Sequence, residues 1–206
     1  MALLIRQARL EDTPILLSIY QPYVEQTAIT FDYQLPSLEE FRERMLAIQS
    51  FYPYLVIEKD GQILGYAYGS AFHEREAYAW SAEVTIYLSQ SARGQGWGQK
   101  LYQELECLLE QMGVLNLNAC IAWIKESSPY LNNGSQAFHQ KLGYHVVGHF
   151  TNSGYKFDTW FDMIWMEKII GQHTNHPPKI KSFSELLASK NVIEPWQIQF
   201  TESDNN

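Results

Sequence analysis

The 206-residue chain is poor in cysteine, in positive charge and in long apolar runs, and each shortage removes a class of function. Its two cysteines, Cys107 and Cys120, have no Cys-x-x-Cys spacing, so a disulfide framework, a zinc ribbon and a thiol redox pair are set aside. Both read as core-filling residues. Lys and Arg number 15 against 23 Asp and Glu, for a formal net charge of -8. A broad face for nucleic acid or for an anionic membrane is therefore not expected, which leaves room only for a small cationic pocket suited to an anionic metabolite. No apolar run is long enough to span a bilayer, and no cleavable leader precedes Leu3-Leu4-Ile5, so the expected compartment is the cytoplasm. His73, His145, His149, His173 and His176 share no ligand spacing, and no metal is assigned. Repeats and low-complexity tracts are missing too.

What the chain does have is enough apolar residues, 46%, for one full core. The most informative passage is Arg93-Gly94-Gln95-Gly96-Trp97-Gly98. It follows the β-branched and aromatic run Val84-Thr85-Ile86-Tyr87-Leu88, which reads as a strand. It precedes a helical stripe of Leu101, Tyr102, Leu105, Leu108, Leu109 and Met112 that stops at Gly113. Glycines at alternate positions let backbone N–H groups approach a ligand closely, and the following helix N-terminus favours an anion, so a phosphorylated cofactor is expected. A Walker loop is excluded because Gly98 is followed by Gln99 and Lys100 with no hydroxyl residue for magnesium. A dinucleotide fingerprint fails at Gln99, where Gly or Ala belongs.

The remaining pattern predicts an α/β fold around one mixed, mostly antiparallel sheet. Thr13-Pro14 reads as a helix cap followed by proline, and Ser37-Leu38-Glu39-Glu40 as a capping box. Asp60-Gly61 joins strands Tyr54 to Glu58 and Ile63 to Ser70 as a hairpin. A strand at Leu115 to Ile121, a helix at Ser135 to Leu142 and strands at Tyr144 to Phe150 and Trp160 to Ile169 complete residues 1 to 170 as one domain. Residues 171 to 206 form a C-terminal extension. Gln172 to Lys179 reads as a linker, and a short helix near Ser184 to Lys190 and the alternation Trp196, Ile198, Phe200 make up a tail that packs on its own domain, packs on a neighbour or stays mobile.

Arg93-x-x-Gly96-x-Gly98 is similar to the Arg/Gln-x-x-Gly-x-Gly/Ala pyrophosphate loop of the GNAT N-acetyltransferases. Thr30-Phe31-Asp32, Tyr52 to Val56, Asp60 to Tyr68, Arg75 to Trp80, Ala82 to Leu88 and Phe138 to Tyr144 resemble, in the same order, its phosphinothricin and methionine-sulfoximine acetyltransferase branch. The likeness runs over roughly residues 4 to 168, about one domain's length. It implies the GNAT fold, acetyl-CoA as cosubstrate, a small amino-acid-like amine as acceptor and a homodimer, with a protein or polyamine amine as acceptor, or acetyl-CoA binding without catalysis, as the alternative readings.

The resemblance also implies site residues. Gly94, Gln95, Gly96, Trp97 and Gly98, opened by Arg93, hold the pyrophosphate, and Ile86, Tyr87 and Leu88 pair with the pantetheine arm. Asn132 and Ser135 contact that arm as well, although the residues alone equally fit a turn before a helix. Glu83 heads an apolar strand running into the loop. Burial raises such a carboxylate's pKa and suits it to draw a proton from a bound ammonium, whereas a strand-end Glu facing water is the ordinary alternative. His139 either assists the departing thiolate or is a packed helix histidine. Arg75 offers paired hydrogen bonds to a carboxylate or phosphinate, Tyr78 an aromatic wall, and Phe31 with Gly154-Tyr155-Lys156 a closure over the acceptor, while Lys156 also reads as a solvated surface residue. The branch commonly has Lys where His73 stands, which weakens the expected hold on phosphinothricin itself.

Overall fold

The computed structural model describes residues 3–190, 192 and 196–200, so the chain's last six residues, expected as part of the tail, lie outside the described residues. Eight strands form one sheet in the order β6-β7-β5-β4-β3-β2-β1-β8. They are β1 (Leu3–Gln7), β2 (Tyr54–Lys59), β3 (Gln62–Ala71), β4 (Ser81–Leu88), β5 (Asn116–Trp123), β6 (His145–Lys156), β7 (Thr159–Ile169) and β8 (Gln197–Phe200). Helices α1 (Thr13–Gln26), α2 (Leu38–Gln49), α3 (Trp97–Met112), α4 (Gly134–Lys141) and α5 (Phe183–Ser189) flank the sheet. Of the strands paired among the described residues, only β4 and β5 run parallel. No helix among the described residues is long and apolar enough to cross a membrane.

Local chemistry explains most boundaries. Asp60 and Gly61 both take positive φ, 52° and 81°, as a two-residue turn matched to strand twist requires. Ser37 and Glu40 form the reciprocal capping box. The first helix starts at the residue expected to cap it: the preceding turn already puts Asp12 in helical geometry, so Asp12 stands at the cap position and Thr13 is the first helical residue. The Asp12 carboxylate is taken by Arg6 and by the Arg9 N–H instead of capping the helix. Helix α3 buries Leu101, Tyr102, Leu105, Leu108, Leu109 and Met112, each worth about 2 kcal/mol of apolar transfer, and ends at Gly113 with φ 98°.

Neither cysteine fills the core; both are exposed. Cys107 lies off the α3 stripe, between Leu105 and Leu108. On β5 the pleat sends Leu117, Ala119 and Ile121 to the core side and leaves Cys120 on the other face. Strand β6 runs on past its expected end to Lys156, through register shifts at Val146/Gly148 and Phe150/Gly154. The C-terminal segment packs on its own chain. Ser182 caps α5 through a second capping box, Phe183, Leu186 and Leu187 enter the main core, and β8 pairs with β1.

Candidate active site

The site is made by a failure of pairing. β4 and β5 are in register only from Ser81–Asn116 to Glu83–Asn118, after which β4 continues with β3 alone and β5 with β7 alone. The Ser89 N–H donates to the Leu64 carbonyl at 2.8 Å. Amide direction alternates along an antiparallel pair, so the main-chain groups of Thr85 and Tyr87 bond to β3 while those of Val84, Ile86 and Leu88 face the side that β5 has left. A cavity of about 410 Å³ opens there. Glu83, Ile86, Tyr87, Ser135, His139 and Phe31 all line it, so six of the expected site residues converge.

Glu83 occupies the last paired position, where the strands part. Burial raises its pKa above the ordinary carboxylate value. Cys120 lines the same cavity, and desolvation, helped by the Glu83 charge, pushes its thiol up to about 11. It is therefore a neutral thiol rather than a nucleophile at neutral pH. Tyr68, Ser153 and Met163 add hydroxyl and thioether surface. Among the described residues lining the cavity, none is Lys or Arg.

The loop at 93–98 fits a diphosphate. Gly94 and Gly96 take φ of 75° and 83°, conformations that side chains resist, and nothing lies within 4 Å of where a Cβ would stand on either. No side chain caps α3, so its first-turn N–H groups point out of an exposed loop. Gly98 serves packing instead: a Cβ there would meet Leu88 Cδ1 at 3.0 Å. The Arg93 guanidinium lies 4.7 Å from the Tyr23 ring centroid, and the Lys59 ammonium 5.2 Å from that of Trp97. Gln95 folds back, donating to the Ser91 carbonyl and accepting from Trp97 Nε1.

Other expected residues are placed differently. His139 is 4% exposed, with Nδ1 2.8 Å from the Ser135 carbonyl and Nε2 2.9 Å from Tyr102 Oη. A carbonyl only accepts, so Nδ1 carries the proton and Nε2 accepts from Tyr102. Burial lowers its pKa, and both nitrogens of the ring are engaged, an arrangement consistent with the packed-histidine alternative. Leu88 also differs, since its N–H and carbonyl are both taken by Tyr23 Oη, and Tyr87's main chain belongs to the β3 ladder. Asn132 is exposed and accepts from the Gly134 N–H at 2.9 Å, as a turn residue does.

Lys156 is neither on the surface nor among the described residues lining the cavity. It is 3% exposed and its ammonium donates to the carbonyls of Val24, Thr27 and Thr30 at 2.7, 2.9 and 2.9 Å. It anchors the segment that carries Phe31. Phe31 in turn rests on β6 at Gly154, where a Cβ would come within 2.3 Å of Phe31 Cζ. Arg75 and Tyr78 are exposed on the β3–β4 connection, outside the cavity lining, with Tyr78 against Phe72 and His73. Sequence reasoning missed Tyr68, which strand alternation with Tyr66 signals, and Tyr23, Ser153 and Met163, for which no local pattern exists. Among the described residues there is no cluster of three or more His, Cys, Asp or Glu able to hold a metal.

Residues 5–165 match the family model described as an acetyltransferase (GNAT) domain. The chain is 32% identical over 165 residues to a phosphinothricin N-acetyltransferase of Alcaligenes faecalis, covering 80% of this chain and 81% of that protein. It is 28% identical over 165 residues to an L-methionine sulfoximine/L-methionine sulfone acetyltransferase of Pseudomonas aeruginosa, covering 79% and 92%. The crystal structure of a phosphinothricin acetyltransferase from Sinorhizobium meliloti in complex with acetyl-CoA superposes with a TM-score of 0.76 at 32% identity, covering 84% of this chain and 92% of that one. A glycine cradle at the head of α3, a sheet parted beside it and these likenesses agree: the chain belongs to the GNAT acetyltransferase family and is an acetyl-transferring enzyme.

Proposed function

We propose that the enzyme transfers the acetyl group of acetyl-CoA to the amino group of a small amino-acid-like acceptor, with Glu83 as general base. The observation that carries this reading is the position of Glu83: a carboxylate with burial-raised pKa at the fork where β4 leaves β5, inside the cavity and in line with the glycine loop. Acetyl-CoA supplies an activated acetyl group. Residues 94 to 98 hold its diphosphate. The N–H groups of Val84 and Ile86, aimed into the cleft, are the donors suited to an acyl oxygen. Glu83 takes the ammonium proton and frees the attacking lone pair. Cys120 keeps its proton, which favours direct transfer over an acyl-enzyme.

The cavity walls favour a neutral side group on the acceptor. Glu83 is the one ionisable carboxylate among the described lining residues and no cation balances an anionic guest there, so sulfone and sulfoximine acceptors suit it better than a phosphinate. The working form is a homodimer, as the family resemblance implies, and light scattering tests that point. The decisive experiment is Glu83→Gln assayed with methionine sulfone, methionine sulfoximine, phosphinothricin, methionine and peptides. Turnover falls about 100- to 10,000-fold, the scale of positioned proton transfer. Full turnover in the variant rejects Glu83 as base, and activity confined to peptides rejects the acceptor class.

A further inference from the structure

Tyr23 sits on α1, far in sequence from every residue discussed for the coenzyme, yet it touches two parts of that site at once. Its hydroxyl donates to the Leu88 carbonyl at 2.6 Å and accepts from the Leu88 N–H at 3.1 Å. These are main-chain groups on the side of β4 that β5 has abandoned, where a strand or an amide-bearing ligand would pair. Tyr23 is 6% exposed; its ring lies edge-on to Tyr87 at 4.9 Å, and the Arg93 guanidinium stands over it, 4.7 Å from the centroid. One side chain thus finishes the free edge of β4 and holds the first residue of the anion loop.

We propose that Tyr23 is a positioning residue for coenzyme binding. By satisfying both polar groups of Leu88, it ends the ladder available to the pantetheine amides at Ile86. Beyond that point the edge is closed and the chain turns through Ser89 to Ala92 into the glycine loop. The phenol fixes the spacing between the last amide donor of the strand and the first of the loop, and Arg93 stacked on it is kept at the loop's entrance. Without the hydroxyl, Leu88's N–H and carbonyl need water, and the strand end and the loop lose their common tether.

The inference rests on the reading that acetyl-CoA lies along β4, and the test separates the two. CoA binding is measured by calorimetry on the full-length wild type and on Tyr23→Phe, which keeps the ring, the Tyr87 contact and the Arg93 stacking. Steady-state kinetics and hydrogen exchange at the Leu88 amide accompany it. Tyr23→Phe is expected to bind CoA about tenfold more weakly and to raise KM for acetyl-CoA by a similar factor. KM for the amine stays within about twofold, and Leu88 exchange in the free enzyme quickens at least tenfold. A wild type that binds no CoA defeats the reading of the cleft. A wild type that binds, with a variant binding equally well, defeats the role of Tyr23 alone. Tighter binding by the variant does so as well, since it marks the hydroxyl as a competitor for the coenzyme's place.

Discussion

Tyr102 Oη and His139 Nε2 lie 2.9 Å apart in the core between α3 and α4, and the Ser135 carbonyl holds the opposite ring nitrogen. The folded chain therefore keeps His139 neutral at pH values where a free histidine, titrating near 6.5, takes up a proton. Below about pH 6.5 the unfolded chain binds more protons than the folded one. The stability tied to His139 is full above that pH and declines as pH falls toward the lowered folded-state value. Thermal melts should show Tm dropping from pH 7 to pH 5, and the drop should shrink in His139→Gln. An unchanged slope would contradict the burial argument.

The same titration logic has the opposite direction at Glu83. Burial raises its pKa, and a base works only when deprotonated. Activity should decline, on going to acid, at a pH above the ordinary carboxylate value of 4.5. The acid limb of kcat/KM disappears in Glu83→Gln, whose residual rate is flat across that range.

Gly154 has no room for a side chain, because the Phe31 ring occupies the space above its Cα. Gly154→Ala must push the ring away or bend β6. It should cost about 1–3 kcal/mol by denaturant melt, the usual scale for overpacking. KM for the acceptor rises, because Phe31 is a wall of the cavity, and KM for acetyl-CoA changes less.

Lys156→Met removes the ammonium shared by three carbonyls at the end of α1 and in the following loop. Leaving these acceptors unpaired should destabilise the protein by about 1–3 kcal/mol. Hydrogen exchange across residues 27 to 32 should accelerate. Lys156→Arg does not rescue, since a planar guanidinium cannot direct three donors from one buried point as an ammonium does. Wild-type exchange rates in the variant would show the ammonium to be dispensable.

Much of the fold was legible because its signals are local. The Ser37–Glu40 box, the Asp60-Gly61 turn and the α3 stripe with its Gly113 stop each depend on neighbours a few residues apart, and each forms as read. What was not legible depends on partners brought from elsewhere in the chain. Nothing around Lys156 announces that carbonyls from residues 24, 27 and 30 will surround it. Nothing next to His139 in the sequence announces that Tyr102 and the Ser135 carbonyl will engage both its nitrogens. Cys120 reads as core until the parallel pairing of β4 with β5 ends and turns that face of the strand into a cleft wall. Tyr23 needed the same knowledge, because only the splayed strand leaves Leu88 with groups to satisfy.

Strand β8 covers β1 along residues Leu3 to Arg6. Strip it away and a row of backbone donors and acceptors meets solvent on a short, half-apolar ribbon, an invitation to any other extended chain. Strand β8 is thus best seen as a hem that keeps the margin of the sheet from fraying into its neighbours.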